Sequence, residues 1–133
     1  WATITNTDAI EVNQDYAGFS GSIFYNSTET EQFKPCSWWA RADCGFPVAM
    51  SWYKPLSGRD ARKSTMAVLL MNNGAEARDL SFKLSEIPGM KAAGCTAYSV
   101  WEGKTLGKVG ASGFSAKQVA SRDSVFLTLS SCQ

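Results

Sequence analysis

Apolar and polar residues alternate with a period of two along most of this chain, the spacing of half-buried β-strands. From Ala77 to Leu84, Leu80, Phe82 and Leu84 fall on one side, and Asp79, Ser81 and Lys83 on the other. From Cys95 to Trp101, Ala97, Ser99 and Trp101 alternate with Thr96, Tyr98 and Val100. From Ser124 to Leu129, Val125, Leu127 and Leu129 point inward. Thr65 to Met71 is apolar on both faces and predicts the most buried strand, stopped by the turn sequence Asn72-Asn73-Gly74. Phe19 to Tyr25, Val48 to Leu56, Lys104 to Val109 and Phe114 to Val119 complete the set, with Pro55 ending its strand or placing it at an edge. A helical period shows only at the start. There Thr5-Asn6-Thr7-Asp8 reads as a cap with an acid three residues on, and predicts a helix over Asn6 to Asn13. About eight short strands between regular turns predict an all-β, antiparallel sandwich of Greek-key type with a short N-terminal helix.

Two segments stand apart. Residues 1–17 read as a linker helix and residues 18–133 as the sandwich, with Gly18 and Gly21 marking the change. Within the sandwich, an irregular insert at 26–47 holds Trp38-Trp39 and two prolines. Structured inserts of this length are more often functional than filler.

Composition narrows the chemistry. At 133 residues the chain suits one core. Thirteen basic and twelve acidic residues leave a net charge of +1, with no basic patch for nucleic acid. The densest group, Arg59, Arg62 and Lys63 beside Asp60, reads as a solvated loop, and Glu29 and Glu31 as solvated carboxylates. Histidine is absent, which removes Ser-His-Asp, Cys-His and His-zinc chemistry. The sequence points to no metal and no cofactor. It has no apolar run of the roughly 20 residues a spanning helix needs.

Four cysteines at wide spacing favour disulfides over zinc. Cys36–Cys44 would close a short loop, and Cys95–Cys132 would tie a late strand to the C-terminus. Asn26-Ser27-Thr28 is a glycosylation sequon in a polar run. Together these point to a secreted, lumenal or extracellular protein. Trp1 is not an initiator, which fits a processed or excised chain.

Five passages carry a family resemblance. Ile4-Thr5-Asn6-Thr7-Asp8-Ala9-Ile10-Glu11-Val12-Asn13-Gln14-Asp15, then Tyr16-Ala17-Gly18, is similar to the passage leaving the catalytic barrel of clan-D α-galactosidases and α-N-acetylgalactosaminidases (glycoside hydrolase family 27-like). Ser51-Trp52-Tyr53-Lys54-Pro55-Leu56-Ser57-Gly58 and Met66-Ala67-Val68-Leu69-Leu70-Met71-Asn72-Asn73-Gly74 resemble strands of that family's C-terminal sandwich. Tyr98 to Gly107 and Val125 to Leu129 resemble later strands, in the same order. Tyr16 stands where the family has proline, and the 26–47 insert has no counterpart. The resemblance implies a retaining mechanism with two barrel aspartates, which needs carboxylates about 5–5.5 Å apart. No barrel motif is in this chain, so no catalytic residue carries over. Asp15 is expected to cap or brace a turn.

Three readings of function follow. In the first, the domain is a non-catalytic, lectin-like module. Trp38, Trp39, Arg41 and Asp43 would offer a stacking face and hydroxyl partners to a glycan. In the second, it is a structural or assembly subunit. The face that would have met a barrel, with Trp1 and the N-terminal helix on it, would then bind a protein partner as an exposed apolar patch. In the third, it is the excised C-terminal domain of a full-length α-galactosidase.

Overall fold

Asn6 caps the helix, and the computed structural model shows why; it describes residues 5–32 and 44–133. Helix α1 spans Thr7–Gln14, one residue later than the sequence predicts. The Asn6 side-chain oxygen accepts from the Ala9 amide at 2.9 Å, satisfying a free donor of the first turn. Its Nδ2 donates to the Val100 carbonyl at 3.0 Å, so the capping residue also ties the helix to the sheet. Local pattern alone cannot register that second bond.

The strands are β1 (Ser22–Asn26), β2 (Thr30–Gln32), β3 (Gly45–Pro47), β4 (Ala49–Pro55), β5 (Met66–Asn72), β6 (Arg78–Phe82), β7 (Cys95–Ser99), β8 (Lys104–Val109), β9 (Phe114–Val119) and β10 (Ser124–Ser130). That is ten among the described residues, against about eight expected. The additional pair is β2 and β3, which join each other at the two ends of the insert. At three residues each they are too short to show a period. Strand β1 starts three residues after Phe19 because the chain turns first. Gly21 has φ +102°, and a Cβ there would lie 2.8 Å from the Tyr53 carbonyl oxygen.

Every strand pairing among the described residues is antiparallel. One sheet runs β1-β4-β5-β10-β7-β8, and β6-β9 and β2-β3 form two-stranded sheets. Strand β10 sits between β5 and β7, a Greek-key return. The inner face of the six-stranded sheet presents Val68, Leu70, Ala97, Leu127 and Leu129. Leu80, Phe82 and Val119 of β6 and β9 pack against them, with Leu84 and Ile87. Strand β5 is the most buried, as its two-sided apolar run predicts. Pro55 does end β4, but at an interior strand. Leu56 donates to Thr65 across the β5 side at 2.9 Å, so the proline nitrogen faces the β1 side, beyond the last β1 pair at Tyr53. No ladder bond is lost there.

The Asn72 turn carries the chain from one sheet to the other. Asn72 is 1% exposed. Its Nδ2 donates to the carbonyls of Glu76 (2.8 Å), Val119 (2.9 Å) and Ala120 (3.0 Å). Its Oδ1 accepts from the Gly74 amide (3.0 Å) and Arg78 Nε (3.1 Å). Glu29 and Glu31 are not simply solvated, because β2 lays them over this corner. Glu29 meets Arg78 at 3.1 Å, and Glu31 accepts from the Ala75 amide at 2.9 Å and faces Arg122 at 3.7 Å.

Cys95 and Cys132 are joined in a disulfide, as expected. Cys44 is also disulfide-bonded, while its expected partner Cys36 lies outside the described residues. Gly113 has φ +87°, and a Cβ there would collide with the Phe82 carbonyl oxygen. Gly113→Ala is therefore expected to lose about 2 kcal/mol or more in a urea titration. A midpoint equal to wild type would show that β6 can move aside.

Candidate functional site

The outer face of the six-stranded sheet is where the fold leaves apolar surface uncovered. Its residues stand in cross-strand rows set by the register. The first row is Lys54, Ala67, Thr128 and Tyr98. The second is Ile23, Trp52, Leu69 and Phe126. The third is Asn26, Met50, Met71 and Ser124. Trp101 extends the second row, its ring 5.2 Å from Phe126 and its Nε1 donating to Ser124 Oγ at 3.1 Å. Its place differs from the expected alternation. Strand β7 ends at Ser99, the turn buries Val100, and Trp101 swings onto the outer face.

Helix α1 covers the first row. Val12 packs with Leu56 and Ala67 against Phe126. The Lys54 ammonium donates to the Val12 and Asn13 carbonyls at 2.6 and 3.1 Å, meeting both the unpaired carbonyls and the negative end of the helix. Asp15 braces a turn, as expected: it accepts from the Ser57 amide at 3.0 Å and from Ser57 Oγ at 2.9 Å. The passage Asn13-Gln14-Asp15 and the passage Lys54 to Ser57, distant in sequence, thus meet in space.

Arg62 departs from the solvated loop expected of it. Its guanidinium lies 3.9 Å above the Tyr98 ring and 3.4 Å from Asp8. The Tyr98 hydroxyl donates to the other Asp8 oxygen at 2.8 Å. That bond, with burial and the Asp8 charge, raises the Tyr98 pKa above its usual 10.0. Asp60 is pushed upward by burial. Bonds from the Ser64 hydroxyl and amide, both 2.6 Å, and the Arg62 charge outweigh that and hold it below its usual 3.8. The signs give a pH window for the helix latch. Asp60's contribution is present above 3.8 and is lost as pH falls through its lowered value. Tyr98's is present below 10.0 and is lost as pH rises through its raised value. Thermal unfolding against pH should therefore fall away at both ends. Tyr98→Phe should flatten only the alkaline limb, and an unchanged alkaline limb would contradict this assignment.

Beyond the helix the face is open. A groove of about 340 Å³ runs between α1 and the second row, lined by Ala9, Val12, Trp52, Leu69 and Phe126 among others. Trp52 is 37% exposed and Trp101 36%, and Ile10 and Phe19 are 41% exposed each. The sequence did not single out these residues. The signal was in the Thr65 to Met71 run: a strand apolar on both faces needs two covers, and the sandwich supplies only one.

The expected sugar-binding residues Trp38, Trp39, Arg41 and Asp43 lie outside the described residues, as does Trp1. Asn26 is exposed at the end of β1. Among the described residues there is no group of three or more His, Cys, Asp or Glu side chains placed to hold a metal, and no helix long and apolar enough to cross a membrane.

Fold and helix together define an antiparallel β-sandwich with a helix laid across one sheet, and comparison with known proteins gives its family. The sequence profile of the alpha galactosidase C-terminal beta sandwich domain matches residues 49–129, and the chain belongs to this family. Its fold is similar to solved enzymes. A family GH27 β-L-arabinopyranosidase from Geobacillus stearothermophilus is 16% identical, with a TM-score of 0.69 over 97% of this chain. α-Galactosidase I from Mortierella vinacea is 16% identical, with 0.70 over 99%. The α-galactosidase of Saccharomyces cerevisiae solved with raffinose is 13% identical, with 0.66 over 96%. The chain spans only 23%, 29% and 36% of those three chains, respectively. A comparison with curated sequences gives no match. What is present is the C-terminal sandwich domain of this glycosidase family.

Proposed function

We propose that this domain is a non-catalytic support that seats the apolar outer face of its large sheet on a glycosidase barrel, either within one polypeptide or between subunits. The row Ile23, Trp52, Leu69, Phe126 and Trp101, open beside α1, carries this reading. An apolar row of this length on a sheet face calls for a cover. The matched enzymes have most of their length outside this domain, which supports a barrel as the cover. In this role the domain hydrolyses nothing itself. It shields one barrel face from water, and α1, pinned by Lys54 and Asp15, sets the angle of approach. The sugar-binding reading rests on Trp38, Trp39, Arg41 and Asp43, which lie outside the described residues; the docking reading rests on the open apolar row. The disulfides favour a secreted or lumenal setting.

The test is to fractionate an extract of the source by size, following the domain with an antibody and glycosidase activity with a chromogenic α-galactoside. Domain and activity should elute together, and Trp52→Glu in the source gene should lower both. Elution of the domain near its own 14.4 kDa, apart from the activity, would overturn the reading.

A further inference from the structure

The two edges of the large sheet are guarded unequally. Strand β8, at one edge, carries Lys104 and Lys108 and a register shift where Gly107 pairs with Ala97. Charge and a bulge are the usual devices that stop an open edge from pairing with another chain. Strand β1, at the other edge, reads Ser-Ile-Phe-Tyr-Asn and has no charge. Its one device is a register shift between Ile23 and Tyr25. The Phe24 ring there packs on Tyr53 at 6.0 Å and Phe82 at 6.5 Å, and Tyr25 is left 51% exposed. Among the described residues β1 pairs on one side only, with β4.

The sequon stands at the end of this unguarded edge. Asn26 is its last residue, opposite Met50, in the row farthest from α1. Asn26 and Thr28 are exposed, while the Ser27 hydroxyl is turned inward, donating to the Glu29 carbonyl at 2.8 Å and accepting from the Ala49 amide at 3.0 Å. A sugar on Asn26 would leave from the tip of the strand without disturbing a packed side chain. It would also sit at the rim of the docking face and leave the groove beside α1 open.

We infer that Asn26 carries an N-linked glycan, and that this glycan is the guard of the β1 edge against pairing with a second copy of the chain. In the transfer the Asn26 amide nitrogen loses a proton and bonds to C1 of a polyprenyl-pyrophosphate-linked oligosaccharide. The bond from C1 to the pyrophosphate oxygen breaks, and the lipid pyrophosphate leaves. A hydrated oligosaccharide at the strand tip then occludes the edge sterically, the task that Lys104 and Lys108 perform by charge on β8.

The experiment compares the full chain secreted from a eukaryotic host with Asn26→Gln, Thr28→Ala and the double variant Asn26→Gln/Tyr25→Lys. Intact mass before and after an N-glycan-releasing amidase reads the modification, and sedimentation velocity reads association. Wild type should carry amidase-sensitive mass and stay monomeric. Both single variants should lack that mass and form dimers as concentration rises tenfold, and the double variant should return to monomer. Unmodified wild type would overturn the site. Single variants that stay monomeric, or a double variant that still associates, would overturn the guarding role.

Discussion

Asn72→Leu is expected to destabilise the domain by about 3–5 kcal/mol, because one buried side chain completes five backbone and side-chain bonds. Three carbonyls, of Glu76, Val119 and Ala120, would lose their donor, and the Gly74 amide and Arg78 Nε their acceptor. Leucine matches the branched shape and is larger, so a cavity is not the cause; unpaired polar groups in a site closed to water are. Total stability of about 5–15 kcal/mol is usual for a domain, so a large share would go. Asn72→Asp separates the terms. It keeps the oxygen that accepts from Gly74 and Arg78 but removes every donor and buries a charge. It should be at least as damaging at neutral pH and should recover in part at acid pH, where the carboxyl is neutral and can donate. Urea titration of the three proteins reads this directly. Equal stability of Asn72→Leu and wild type would remove the corner from the account.

Replacing Cys95 and Cys132 together by serine is the second large expected effect. The bond closes a loop with a sequence separation of 37. In the chain-entropy model such a loop is worth about 4 kcal/mol, through restriction of the unfolded chain. The bond also joins the buried start of β7 to the terminal segment, where the Gln133 amide and carbonyl bond Gly94 and its neighbour Ala93. The loss should show mainly as a lower midpoint in denaturant, with the sheet retained in far-ultraviolet circular dichroism. A variant matching wild type would place the constraint elsewhere, in the bonds of Ala93 and Gly94 to Gln133.

Much of this architecture is written in short-range pattern. Strands β8 and β9 fall on their predicted limits because each is a self-contained run between turn residues. Leu80 and Phe82 point inward as their alternation says. That Asp15 braces a turn is expected from its place in the family-like linker passage, but its partner Ser57, 42 residues on, is not. What escaped is long-range. Arg62 reads as one of several loop cations until Tyr98 and Asp8 are brought beneath it. Glu29 and Glu31 read as solvated until β2 places them against Arg78 and Arg122. Trp101 continues an alternation on paper, but the turn after Ser99 breaks it. The outer-face row is assembled from four strands far apart in sequence, so no window of residues contains it. Its only local trace is the two-sided apolar run of β5. The expected site in the insert, at Trp38, Trp39, Arg41 and Asp43, lies outside the described residues and remains an expectation for glycan-binding measurements.

On the docking proposal, the open outer face seats on a barrel. The most direct test places a photo-crosslinking phenylalanine analogue at Leu69, in the middle of the row, with a second at Lys117 on β9 as control. The protein is expressed in its own source and irradiated, and the joined peptides are sequenced by mass spectrometry. Crosslinks are expected from position 69 to peptides of a glycosidase barrel, and none to that barrel from position 117. Barrel crosslinks from position 117 alone, or position 69 joined only to a second copy of this chain, would contradict it.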